Sequence, residues 1–180
     1  MNMVAKRSAL VVGATGFVGT KLVQLLCNSK EYGRVKLIVR RPVTYSHPKL
    51  EVLVRDFDNI TYKDIGVVQD VFCCLGTTIK KAGSREAFQK VDFQYPRTIA
   101  ALAKKQKVEH FIMITAVGAN EKSWSHYNRV KGPSTCGICE KISFYFRRTG
   151  CICHESFALR RNEQKVTIYP SDKIAKFAPL

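Results

Sequence analysis

Short apolar runs alternate with segments whose apolar residues recur at helical spacing, and this alternation organises the chain from Ser8 to Thr115. Ser8-Ala-Leu-Val-Val12 is an apolar run that stops at a glycine-spaced turn, Gly13-Ala-Thr-Gly16-Phe-Val-Gly19. Val18 to Cys27 then reads as a helix, with Val18, Leu22, Leu25 and Leu26 on one side. Val35-Lys-Leu-Ile-Val39 predicts a buried second strand ending at Arg40-Arg41-Pro42. Leu50 to Val54 predicts a third, ending at Asp56-Phe57, and Asp70-Val-Phe-Cys-Cys-Leu75 a fourth, closed by Gly76-Thr77-Thr78. From Phe88 to Lys105 the positions Phe88, Val91, Tyr95, Ile99 and Leu102 recur as on a helix face. Pro96 lies inside that segment and predicts a bend or local unwinding, because it lacks a donor and crowds the preceding turn. His110-Phe-Ile-Met-Ile114 predicts a fifth strand ending at Thr115, and Phe144-Tyr-Phe-Arg147 is a candidate sixth.

Short apolar strands separated by helices argue for a parallel sheet covered on both faces. The expected fold class is α/β, a Rossmann-type doubly wound parallel sheet with helices on both faces. A single domain over residues 1–180 is expected, with 133–180 as a divergent C-terminal segment. A length of 180 residues with 46% hydrophobic side chains is enough to bury a core.

Charge and cysteine narrow the partners. The net charge is +16, and 22 of the 30 basic residues fall in 1–132, so the excess is spread along the chain. Diffuse positive charge favours anionic partners: a phosphorylated cofactor, nucleic acid or an acidic membrane surface. No nucleic-acid-binding motif accompanies it, which ranks specific nucleic-acid recognition last. The seven cysteines are odd in number, and Cys73 and Cys74 sit together in an apolar run. With no convincing secretory signal, this argues for a reducing, cytoplasmic setting. Lys6-Arg7 before an apolar stretch superficially resembles a signal peptide, but the glycine turn interrupts it. No run is long enough to cross a bilayer, so a soluble protein is expected.

In a sheet of this kind ligands bind outside the carboxyl ends of the strands. Gly13, Thr15 and Gly16, with Phe17 and Val18 next to them, would cradle a dinucleotide pyrophosphate with backbone N–H groups. Arg40 and Arg41 follow the second strand, where a carboxylate often holds the adenosine ribose. Guanidinium groups bind a 2′-phosphate instead, which favours NADPH over NADH. The alternative is a solvated Arg-Arg-Pro turn. Asp56 and Phe57, then Leu75, Gly76 and Thr77, complete the expected cofactor set after the third and fourth strands.

Tyr127-Asn-Arg-Val-Lys131 places a phenol and an ammonium four residues apart, on one face if helical. A nearby cation lowers a phenol's pKa, so Tyr127 could exchange a proton near neutral pH. Lys131 could also hydrogen-bond the nicotinamide ribose. Thr115 could stabilise charge developing on a substrate oxygen. Tyr127, Lys131 and Thr115 are the expected catalytic residues, the first two also contacting the cofactor.

Together these residues resemble the atypical short-chain dehydrogenase/reductase family, in particular its Tat-interacting-protein-like and NmrA-like NAD(P)-binding members. The resemblance runs through Gly13-Ala-Thr-Gly16, Arg40-Arg41, Asp56-Phe57, Phe72-Cys-Cys-Leu-Gly-Thr-Thr78, Lys81-Ala-Gly83 and Val91-Asp92. It continues through His110-Phe111, Gly118-Ala119 and Tyr127 to Gly132. It implies a Rossmann fold, NADPH and a Tyr–Lys pair at the nicotinamide. Thr115 stands where this family often has serine. After Gly132 the chain departs from the acidic, alanine- and leucine-rich helix of the family. Pro133-Ser-Thr-Cys-Gly-Ile-Cys139 is a poor helix former, and the chain stops at Leu180 where the family typically continues. An altered substrate side is expected.

Cys136-x-x-Cys139 with Cys151-x-Cys153-His154 contains enough ligands for tetrahedral zinc; the alternative, and the expectation, is free thiols with no metal. The expected function is hydride transfer from NADPH to a small carbonyl or enone. The alternative is a cofactor-sensing regulatory protein that binds NADPH and a protein partner without efficient turnover. A basic nucleic-acid or metal-binding module using the tail ranks third.

Overall fold

The computed structural model describes residues 6–116 and 122–131, with Thr115 and Ala116 as backbone, and the backbone of two further strands at 142–147 and 166–169. The strands are β1 (Arg7–Val12), β2 (Tyr32–Val39), β3 (Leu50–Val54), β4 (Asp70–Cys73), β5 (His110–Ala116), β6 (Ile142–Arg147) and β7 (Val166–Tyr169). They form one sheet in the order β3-β2-β1-β4-β5-β6-β7, every neighbouring pair parallel. Chain order reverses between β1 and β4, which makes that junction the switch point where a crevice opens.

Period-2 alternation sends successive side chains to opposite faces, and in β1, β2, β4 and β5 both faces contribute to the core. Leu10, Val12, Ile38, Val71, Cys73, Phe111 and Met113 pack on one face against Ile99, Ala100 and Ala103 of helix α5 (Tyr95–Lys105). Ala9, Val11, Leu37, Val39 and Phe72 pack on the other against Leu22, Val23 and Leu26 of helix α1 (Phe17–Asn28). The strands therefore read as continuous apolar runs. The doubly wound α/β fold expected from the sequence is the fold observed.

Local differences have identifiable causes. The buried stripe of α1 is Gly19, Leu22, Val23, Leu26 and Cys27, so Val18 and Leu25 lie off it. A Cβ on Gly19 would come within 2.1 Å of the Gly13 carbonyl oxygen, so it is the bare Gly19 backbone that packs against the turn. Strand β4 stops at Cys73, two residues before Leu75, whereas β2 begins early, at Tyr32. Strand β7 has no counterpart in the expected elements.

The helical stretch starts at Arg85 and is interrupted where Pro96 predicts. Helix α4 (Arg85–Gln89) passes into a wide π-type turn at Lys90–Gln94 before α5. Pro96 cannot donate to the Asp92 carbonyl, and the backbone widens one turn earlier, where Tyr95 N–H donates to the Lys90 carbonyl. The shorter helices are α2 (Tyr62–Ile65), α3 (Ile79–Ala82) and α6 (His126–Lys131).

The amino-terminal end of the sheet is tied by Asp70, 1% exposed. Its carboxylate accepts a two-pronged pair from Arg7 at 2.7 Å and a bond from the Tyr32 hydroxyl at 2.8 Å; His110 Nδ1 lies 2.7 Å away. Burial opposes ionisation of Asp70, but His110, Arg7 and Tyr32 together hold the carboxyl below its ordinary range. Burial beside that carboxylate pushes the Tyr32 phenol up. This knot joins the first residues of four strands on the side away from the crevice.

Candidate functional site

A crevice of about 780 Å³ opens at the carboxyl ends of the strands. Its floor is the turn Gly13–Gly16, and one wall is Cys74 to Thr77 after β4. The other wall is Val39 to Pro42 after β2, with Lys81, Ala87, Lys90 and Tyr95 closing the far side.

The turn has that shape because two glycines permit it. Gly13 has φ +77°, and a Cβ there would meet the Cys74 carbonyl at 2.6 Å and the Leu75 nitrogen at 2.8 Å. Gly16 N–H donates to the Gly13 carbonyl at 3.1 Å, and Gly16 caps α1 without a side-chain hydrogen bond. The first turn of α1 holds no acidic residue. Its amino end thus presents backbone donors and the positive end of the helix dipole, as an anion requires.

Arg40 and Arg41 are exposed at the mouth of the crevice. Phe57 is buried against Tyr95, ring centroids 5.4 Å apart, and faces the crevice beneath them. Asp56 caps the short turn Phe57–Asn59 by accepting from Asp58 N–H at 3.1 Å. Asp58 is held by Lys90 Nζ at 2.8 Å and Tyr95 Oη at 3.2 Å, and the lysine keeps its carboxyl below the usual range. The crevice thus carries Gly13, Thr15, Gly16, Arg40, Arg41, Phe57, Leu75, Gly76 and Thr77 of the expected cofactor set. Phe17 is exposed and Val18 half-buried on α1; neither lines the crevice, nor do Asp56, Tyr127 and Lys131.

Tyr127 and Lys131 do share a face of α6: Lys131 Nζ lies 5.2 Å from the centre of the Tyr127 ring. Tyr127 stacks on Phe88 of α4, centroids 5.4 Å apart and planes 23° from parallel. Lys131 is 5% exposed and paired with the buried carboxylate of Asp92 in the wide turn. The other Asp92 oxygen accepts from Thr77 N–H at 2.9 Å. A Cβ on Gly76 would stand 3.6 Å from Asp92 Oδ1 and 3.7 Å from Lys131 Nζ. One loop, Cys74 to Thr77, therefore touches the glycine turn at one end and the lysine at the other. Thr115 is in β5, opposite Phe146 of β6 in register. Cys136, Cys139, Cys151, Cys153 and His154 lie outside the described residues, as do Gly118 and Ala119. Among the described residues no group of three or more His, Cys, Asp or Glu side chains converges on a possible metal position.

Asp92 was legible only as part of a motif, Val91-Asp92. The signal that could have singled it out is a carboxylate on the apolar side of a helix, four residues after Phe88. Lys81 and Lys90 on the crevice wall carry no comparable signal, since lysines at helix ends are common on any surface.

A family profile described as NAD(P)H-binding matches residues 13–135. Protein HTATIP2 of Rattus norvegicus is 34% identical over 143 residues, covering 77% of this chain and 58% of that protein. Protein FMP52, mitochondrial, of Debaryomyces hansenii is 31% identical over 145 residues, covering 79% of this chain and 63% of that one. The chain thus spans about three fifths of the length of the curated relatives it matches. Among solved structures, MoeE5 in complex with UDP-glucuronic acid and NAD superposes with a TM-score of 0.63 at 17% identity, covering 76% of this chain and 53% of that one. The oxidoreductase ylbE from Lactococcus lactis gives 0.60 at 18% identity, covering 76% and 67%. These two likenesses are of fold. No described helix is long and apolar enough to cross a membrane.

Proposed function

The chain belongs to the NAD(P)H-binding family, among the NmrA-like atypical short-chain dehydrogenases/reductases, and on that premise we propose that it is an NADPH-dependent oxidoreductase acting on a small carbonyl or enone. The observation that carries the reading is the loop Cys74–Thr77, which abuts Gly13 on one side and Lys131 on the other. That loop has the glycine turn at one end and Lys131 at the other, although Tyr127 and Lys131 do not themselves line the crevice.

The residues present fit the dinucleotide. The space a Cβ would fill at Gly13 is taken by backbone, and the turn that follows leads its amides to the end of α1. Arg40 and Arg41 supply the charge and planar donors that suit a 2′-phosphate, which favours NADPH over NADH. When bound, the dinucleotide supplies a hydride for the carbonyl carbon. Tyr127 gives its phenolic proton to the carbonyl oxygen, completing an alcohol. Lys131, beneath the Tyr127 ring, stabilises the phenolate left behind and offers a donor to the ribose. Thr115 hydrogen-bonds the substrate oxygen as charge develops on it. The cytoplasm remains the proposed compartment, on the strength of the odd number of cysteines and the adjacent pair Cys73 and Cys74 in an apolar run. The names of the FMP52 relatives carry the word mitochondrial, so cell fractionation is the test.

A panel of aldehydes, ketones and enones, followed by loss of NADPH absorbance, tests the proposal. Turnover that disappears in Tyr127→Phe supports it. Tight NADPH binding with no turnover across the panel would move the reading to a cofactor sensor.

A further inference from the structure

The segment Arg40–Lys49 joins β2 to β3 without helix or strand, and Arg40 and Arg41 stand exposed at the mouth of the crevice. From Tyr32 to Leu50 the sequence holds no acidic residue, whereas Arg34, Lys36, Arg40, Arg41 and Lys49 are basic. Neither arginine at the mouth has an ion-pair partner among the described residues. Three residues after Arg41 comes Thr44, exposed, at a bend of the chain. Its hydroxyl makes no hydrogen bond among the described residues. The loop is anchored on both sides of it. Val43 packs half-buried against the core on the α1 face, and Tyr45 lies near Cys27 of α1, burial and the thiol pushing its phenol up. Pro42 and Pro48 favour an extended backbone at the residues before them. Thr44 is thus a hydroxyl displayed on an extended cationic loop beside two arginines. We infer that Thr44 is a phosphorylation site, and that its phosphate takes the place of the coenzyme's 2′-phosphate on Arg40 and Arg41. This rests on the crevice binding NADPH, as proposed above.

The step moves the γ-phosphoryl group of ATP. The bond from the γ-phosphorus to the β,γ-bridging oxygen breaks, a bond to Thr44 Oγ1 forms, and ADP and the hydroxyl proton leave. An arginine three residues before the acceptor is a charge pattern that the acidic groove of a serine/threonine kinase selects. Thr44 has Arg41 there, whereas Tyr45 has Pro42 and Ser46 has Val43. The product repeats the group that distinguishes NADPH from NADH. Phosphothreonine and a ribose 2′-phosphate are both phosphate monoesters of about −1.5 to −2 charge near pH 7, with three acceptor oxygens for guanidinium donors. Three residues of extended chain span at most about 10–11 Å, a gap that an arginine and a phosphothreonine close between them. Held so near, the phosphate competes for the arginines like a free ligand at about millimolar concentration. It also repels a 2′-phosphate brought to the same place. NADH carries no such group and meets neither effect, so phosphorylation moves the coenzyme preference towards NADH.

The test incubates the full chain with ATP, Mg²⁺ and a calmodulin-dependent protein kinase, an enzyme directed by arginine at this spacing. Mass spectrometry locates the phosphate in wild type, Thr44→Ala and Ser46→Ala. Phosphorylated and untreated wild type are then titrated calorimetrically with NADPH and with NADH. Phosphate is expected on Thr44 in wild type and in Ser46→Ala, and nowhere on this loop in Thr44→Ala. It is expected to weaken NADPH about tenfold or more while changing NADH by less than about twofold. A Thr44 left unmodified by kinase that modifies a control peptide would overturn the inference. So would a phosphorylated Thr44 with both coenzymes weakened equally, or with the preference for NADPH intact. Untreated protein that takes up neither coenzyme would overturn the reading of the crevice itself, and the switch with it. An intact preference after phosphorylation overturns the switch alone.

Discussion

A Cβ placed on Gly13 would stand 2.6 Å from the carbonyl of Cys74, closer than any side chain tolerates. Gly13 also has φ +77°, a left-handed conformation that costs an alanine about 1–2 kcal/mol before any clash. The first and fourth strands meet at this contact, and the crevice opens directly above it.

Gly13→Ala is therefore expected to lose at least about 1–2 kcal/mol of stability from backbone strain and to push the Cys74–Leu75 backbone away from the turn. Urea unfolding reads the first effect and NADPH titration the second. An alanine variant with unaltered stability and affinity would contradict the packing described.

Arg40→Ala/Arg41→Ala is expected to weaken NADPH by roughly tenfold to a hundredfold, on the scale of one or two charged hydrogen bonds. NADH affinity should change little, because it has no 2′-phosphate. Equal losses for both coenzymes would assign the arginines to general attraction instead of phosphate selection.

Tyr127→Phe removes the phenolic proton but leaves the ring that stacks on Phe88. Turnover on whichever carbonyl proves active should fall by about two to four orders of magnitude. NADPH affinity should remain near the wild-type value. A phenylalanine variant with full turnover would remove Tyr127 from the chemistry.

Acid should weaken the protein partly through Asp70. Burial disfavours its charge, yet His110, Arg7 and Tyr32 hold its folded-state pKa below the unfolded value. That contribution is present above the unfolded carboxylate pKa, about 4, and is lost as pH falls through the folded one. Asp70→Asn leaves Arg7 without its two-pronged partner and is expected to cost about 3–5 kcal/mol near neutral pH. It should also flatten the acid limb of a stability-versus-pH curve. A variant that keeps the wild-type acid limb would show that other carboxylates control it.

Strands β1, β2, β4 and β5 were legible because side chains on both of their faces enter the core, so they appear as apolar runs without needing their partners, while the edge strand β3 keeps Val52 and Val54 exposed and is read from its β-branched residues alone. The glycine turn was legible because its close packing leaves no room for side chains at Gly13 and Gly19. Less could be read where burial depends on distant partners. Asp70 looks like a strand's polar first residue, and only the fold brings Arg7, Tyr32 and His110 around it. Asp92 resembles an ordinary helix carboxylate until the wide turn before Pro96 sets it against Lys131 and Thr77. The buried face of α1 lies one position further along than the apolar spacing predicts, since Gly19, without any hydrophobic signal, sets how closely the helix approaches the glycine turn.

The crevice is proposed to hold a nicotinamide dinucleotide, with the phosphorylated form preferred. Isothermal titration of the purified protein with NADPH and, separately, NADH tests it most directly. One site per chain and a clearly tighter NADPH isotherm are expected. The absence of binding heat and of any thermal shift with either coenzyme would contradict it.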